Sequence, residues 1–167
     1  MSLVQRYQRQ LQGAREMSEA LLAAFKTPED WTRQVHSQCN HALWFAGHMA
    51  STDNFFLSLI APEKAIDLAN LQPLFGMGSH PTNNPADYPP PEQIVSVMRE
   101  RRQKLLEVLA GLQDADLSRP LPKGTPDFLS DVGSVFEMAI WHEGVHSGQL
   151  SVARRALGFQ PLMGASA

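Results

Sequence analysis

The sequence predicts an all-α protein: a four-helix bundle with a long crossover connection between helices two and three. Three observations predict it. Apolar residues recur at helical period in four separate stretches. Strand-type alternation is absent throughout. Thirty residues, 61–90, part the second stretch from the third, long enough to run back along a bundle and leave those two helices parallel neighbours.

Each helix has its own signature. Val4, Tyr7, Leu11, Ala14, Met17, Leu21 and Phe25 predict a first helix over about residues 2–26, punctuated by Thr27-Pro28-Glu29-Asp30. His41, Trp44, Phe45, His48, Thr52, Phe55, Phe56 and Leu59 predict a second, with Asn40 as N-cap and Pro62 just past its end. Ile94, Met98, Leu105, Val108 and Leu112 predict a third after Pro89-Pro90-Pro91. The fourth starts near Ser130-Asp131, carries Val135, Phe136, Ala139, Leu150, Ala153 and Leu157, and stops at Gly158 as its C′ residue. The connection over 61–90 is rich in Pro, Gly and Asn, and long ordered loops often wall a site.

Composition narrows the class. The 167 residues suit a single domain over 1–167, with 43% hydrophobic and 19% charged residues. A formal net charge of −3 gives no footprint for nucleic acid. One cysteine, Cys39, forms no disulfide framework and suits a reducing compartment. No apolar run approaches a membrane span and the N-terminus shows no secretory h-region, so a cytoplasmic location and no membrane partner are expected.

The chemistry concentrates in "WHEGVHSGQL", residues 141–150, which contains a literal H-E-x-x-H. His142 and His146 fill the middle rungs of the inward stripe of helix four, and His48 fills that of helix two. An i, i+4 pair of imidazoles projects from one face and reaches one ion, and facing helices of a bundle commonly hold metal this way. His48, His142 and His146 are therefore the expected metal ligands.

A zinc protease does not fit. Such enzymes take a third ligand further along the chain, but nothing after His146 is His, Asp, Glu or Cys. Gln149 and Val152 stand where the longer metzincin motif needs Gly and His. A di-iron carboxylate bundle fails as well: Glu143 and His146 spell E-x-x-H, but no second copy exists and helix two has no Glu.

The remaining polar residues carry paired expectations. Glu143 lies about 100° around the helix from His142; it orients a ligand imidazole or acts as general base, or else is a surface or interface carboxylate. Gln149 hydrogen-bonds a ligand or fills a helix interface. His41 is expected in a capping or solvated role and His36 on a loop surface, with His80 left out of the site. Cys39 reads as a small buried hydrophobe, and Trp44 and Trp141 as core or pocket wall. Arg101 reads as a buried ion-pair partner or substrate-anion anchor, and Arg154 and Arg155 as helix-end cations.

"NHALWFAGHMASTDNFF", the long loop and "WHEGVHSGQLSVARRALGF" together resemble the DinB/YfiT-like superfamily of metal-dependent enzymes, and the resemblance spans nearly the whole chain. It implies a four-helix bundle, a metal triad at His48, His142 and His146, and a divalent ion, zinc or nickel. It implies homodimers too. Characterised relatives include S-transferases that join a low-molecular-weight thiol such as bacillithiol to an electrophile, and a mycothiol-dependent isomerase. Three neutral imidazoles leave zinc an open position, which marks a catalytic rather than structural site. A thiol or a water there becomes a nucleophile at neutral pH. The expected function is a thiol-dependent S-transferase acting on a small-molecule electrophile, or a hydrolase using the same ion. The alternative is a non-catalytic metal- or ligand-binding, stress-associated bundle.

Overall fold

The computed structural model describes residues 1–162. Its described residues form six α-helices and no strand: α1 (Leu3–Leu22), α2 (Pro28–Thr32), α3 (Ala42–Ile60), α4 (Gln72–Phe75), α5 (Pro91–Ala110) and α6 (Val132–Ala156). An isolated bridge joins Pro120 to Asp131. The four long helices coincide with the four periodic stretches. α1 packs on α5 and α6, and α3 packs on the same two.

Local chemistry explains the boundaries. Ser2 and Gln5 make a capping box at the start of α1, and Asp131 with Ser134 makes another at α6. α1 stops at Leu22 rather than 26, because Thr27 caps the short helix α2, with Pro28 at its first position. The N-cap of α3 is His41, not Asn40: its Nδ1 accepts the Trp44 N–H at 2.9 Å. An imidazole with an unprotonated Nδ1 supplies the same acceptor that Asn or Ser would. At the far end of α6, Gly158 takes φ +89°, its N–H bonds Arg155 C=O, and the Phe159 N–H bonds Arg154 C=O. That is a Schellman stop, with glycine at the left-handed residue.

The core falls into two apolar clusters with a polar layer between them. One gathers Leu21, Leu22, Ala46, Ala50, Met98 and Leu150; the other gathers Leu11, Phe56, Leu57, Leu105, Phe136 and Ala139. The gap on every long helix holds ionisable residues: Arg15 on α1, Asp53 on α3, Arg102 on α5, and His142, Glu143 and His146 on α6, while His48 lies at the edge of the first cluster on α3. Phe55, expected inward, is 40% exposed, and Asp53 and Leu57 take the buried positions around it. The 61–90 connection is not bare loop, since it contains α4 and two 3-10 turns, Pro62–Lys64 and Pro85–Asp87.

Candidate metal centre

Beside the polar layer the three histidines come together, His48 from α3 and His142 and His146 from α6. One ring nitrogen each from His48, His142 and His146 lies within 4.8 Å of the other two. His48 Nε2 faces His142 Nε2 at 3.2 Å. Two nitrogens bound tetrahedrally to one zinc at its usual Zn–N distance stand about 3.3 Å apart. The pair is thus already spaced as an edge of such a tetrahedron.

Two of the rings are also oriented. The Phe75 carbonyl can only accept, so His48 donates through Nδ1–H, at 2.8 Å, and its Nε2 keeps a free lone pair. His146 Nδ1 likewise bonds Gln149 Oε1 at 2.9 Å. Ligand imidazoles in metal sites characteristically use their second nitrogen this way. Trp44 stacks on His48 at 4.3 Å and 17°, and its Nε1–H donates to Ser79 Oγ at 2.7 Å. Burial penalises the cationic ring, holding His48 and His142 down to about pKa 4 and lowering His146 as well. At neutral pH the three rings are uncharged, the state that binds a metal. The donor set, spacing and tautomers fit a divalent ion.

Glu143 sits elsewhere. It is 0% exposed, which removes the surface or interface reading. Arg15 Nε–H donates to Oε1 at 2.7 Å, Arg102 Nη1 pairs with Oε2 at 2.7 Å, and Ser18 Oγ–H also donates to Oε1. Asp53 completes the group: Arg102 binds it through Nε and Nη2, each at 2.9 Å, and Arg15 Nη2 reaches it at 3.0 Å. Two cations and two anions, one from each long helix, neutralise one another. Both Glu143 oxygens face arginines, and no Glu143 oxygen joins the cluster of ligand nitrogens.

A family model for the DinB superfamily matches residues 10–150. The chain belongs to the DinB superfamily. No curated protein matches it. Within this DinB chain the other expected residues divide. Gln149 holds His146. His41 caps α3 and is 1% exposed, so its role is capping and not solvated. His36 and His80 are exposed. Cys39 is exposed rather than buried, because it lies in the turn before α3. Trp44 is a core residue stacked on His48, whereas Trp141 is 62% exposed: the inward arc at that level of α6 is taken by Ala139 and Glu143. Arg101 is buried and pairs with Glu100 at 2.6 Å, while its Nη1 donates to Lys64 C=O. Arg154 is buried beneath Phe159 rather than a free helix-end cation, since the Schellman turn folds Phe159 back over it.

Arg15, Asp53 and Arg102 were missed by reading the sequence. The only signal was that each interrupts an apolar stripe, and complementary charges on different helices become visible as partners only once packed.

Proposed function

We propose that this DinB-superfamily protein is a metal-dependent enzyme whose divalent ion, zinc or nickel, is held by His48, His142 and His146. The observation that carries the reading is the trio of uncharged imidazoles, two already locked by Phe75 and Gln149 in the tautomer that coordinates through Nε2. Three protein ligands leave a position free. The ion, when bound, supplies Lewis acidity that lowers the pKa of a thiol or a water and yields a nucleophile at neutral pH. The chain's residues do the rest. Phe75 and Gln149 orient rings, and Trp44 walls one side of His48. The ion-paired layer around Glu143 clamps α1, α3, α5 and α6 at the level of the site, so Glu143 is a positioning residue rather than a general base.

The reaction we assign is transfer of a low-molecular-weight thiol to a small electrophile; hydrolysis by the same ion is the second form. A non-catalytic binding role is the alternative, disfavoured because a structural zinc normally has four protein ligands. The architecture we propose is a four-helix bundle with 61–90 as its crossover. It is supported by the order of the two apolar clusters, which runs one way along α3 and α5 and the opposite way along α1 and α6. A homodimer acting on a small molecule in the cytoplasm completes the proposal; no helix among the described residues is long and apolar enough to cross a membrane.

Elemental analysis of tag-free protein, before and after chelation and reloading, tests the centre. Near-stoichiometric divalent metal, lost in His48→Ala and His142→Ala, is the expected result and justifies screening thiols against electrophiles. A wild-type protein that takes up neither zinc nor nickel on reloading overturns the proposal.

A further inference from the structure

We propose that Phe75, in the connection between α3 and α5, is a positioning residue of the metal centre, and that Gly47 is the notch that lets it dock. The inference rests on the metal-binding reading above and deepens it.

The carbonyl of Phe75 is available because α4 is so short. Carbonyls at a helix end have no intrahelical N–H to bond, and Gly76, the next residue, turns its own N–H back to Gln72. The orphan carbonyl is satisfied instead by His48 Nδ1–H, at 2.8 Å. One contact thereby sets both the tautomer and the rotation of the ring. Where the carbonyl stands is decided by its own side chain. The Phe75 ring is fully buried and stacks on Tyr88 at 5.8 Å. It lies directly on the backbone of Gly47, the residue before His48, where an added Cβ would overlap the ring. Ser79, four residues on, accepts the Nε1–H of Trp44, which is itself stacked on His48. The connection therefore grips both the imidazole and its stacking partner, and it reaches the imidazole only because residue 47 has no side chain.

A reciprocal effect follows. If the docked connection orients His48 for the ion, the bound ion must stabilise the docked connection by the same factor. Zinc should then slow hydrogen exchange at the amides of 71–79, where Leu71, Leu74, Phe75, Gly76 and Ser79 donate local backbone bonds.

The test combines Gly47→Ala with exchange measurements on the wild type. Expected in the variant, at unchanged far-UV helicity, are a loss of zinc affinity of about ten- to a hundredfold by chelator competition and altered cobalt(II) absorption bands. Expected in the wild type is slower exchange over 71–79 when zinc is added. A folded variant with wild-type zinc affinity and an unchanged cobalt spectrum overturns the inference. So does zinc that binds the wild type but leaves exchange over 71–79 unaltered, and this arm decides alone if the variant does not fold. In both cases wild-type zinc binding persists and the metal reading survives. A wild type that binds no metal removes the two together.

Discussion

Glu143 Oε1 accepts the Nε–H of Arg15 at 2.7 Å, across 128 residues of sequence. In an H-E-x-x-H protease the equivalent carboxylate faces the ion and serves as base. Here the same string places it in the opposite sense. His142 and His146 look into the gap towards α3, while Glu143, one residue round the helix, looks towards α1 and α5. The motif's spelling is shared, but its carboxylate belongs to an ion-pair layer.

That layer predicts a large stability effect. Removing one partner of a buried ion pair leaves an uncompensated charge and costs about 3–5 kcal/mol. Glu143→Ala, which strips Arg15 and Arg102 of one of their two anions, should lose about that much by urea denaturation. Wild-type stability in this variant would contradict the structural role.

Gln149 should behave in the opposite way. It is exposed, so Gln149→Ala should leave stability nearly unchanged. It also orients His146 through Nδ1, and partners of this kind typically contribute about tenfold or more to metal affinity. Chelator competition on the variant, beside its melting temperature, separates the two effects. Unaltered zinc affinity would show that His146 needs no partner.

The acid limb of stability should carry the signature of His41. Burial holds its pKa down to about 4 from 6.5, and its cap requires an unprotonated Nδ1. Because the folded pKa lies below the unfolded one, the unfolded chain takes up the proton first as pH falls. The stabilisation is therefore full above 6.5 and is lost progressively towards about 4. His48 and His142, also near 4, act with the same sign. His41→Asn keeps a capping acceptor that cannot titrate, so its melting temperature should fall less steeply across this window. Identical slopes would remove His41 from the account. Bound zinc should steepen the slope instead, since it keeps protons off the other three rings of the folded chain while the unfolded chain still takes them up.

Gly158 offers a local control. Its φ of +89° disfavours any residue with a Cβ, so Gly158→Ala should cost about 1–2 kcal/mol in thermal unfolding without touching the metal centre.

Much of the fold was legible because helical period, caps and stops are local. The stripes through Leu11 and Leu21, through Ile94 and Met98, and through Val135 and Phe136 located three long helices, and Asp131 and Gly158 located the ends of the last. The errors lay where a local signal had a nearby competitor. Asn40 is a better N-cap by residue type than His41, and only the packed ring of His41 shows which one accepts the Trp44 N–H. The short helices α2 and α4 lack the length to show a period at all.

The histidines were legible for the same reason: i, i+4 spacing puts His142 and His146 on one face of one helix, and an apolar stripe interrupted by His48 marks another. What the sequence could determine by itself was therefore the four long helices, the ends of α6 and the inward face of His48, His142 and His146, because each depends on residues within a turn or two. The tertiary structure alone decided that Glu143 joins Arg15, Arg102 and Asp53, that Phe75 holds His48, and that Trp141 stays at the surface. Those facts depend on which helices are neighbours and at what height, and a charge or a carbonyl acquires its role only from the partner that packing brings within a hydrogen bond.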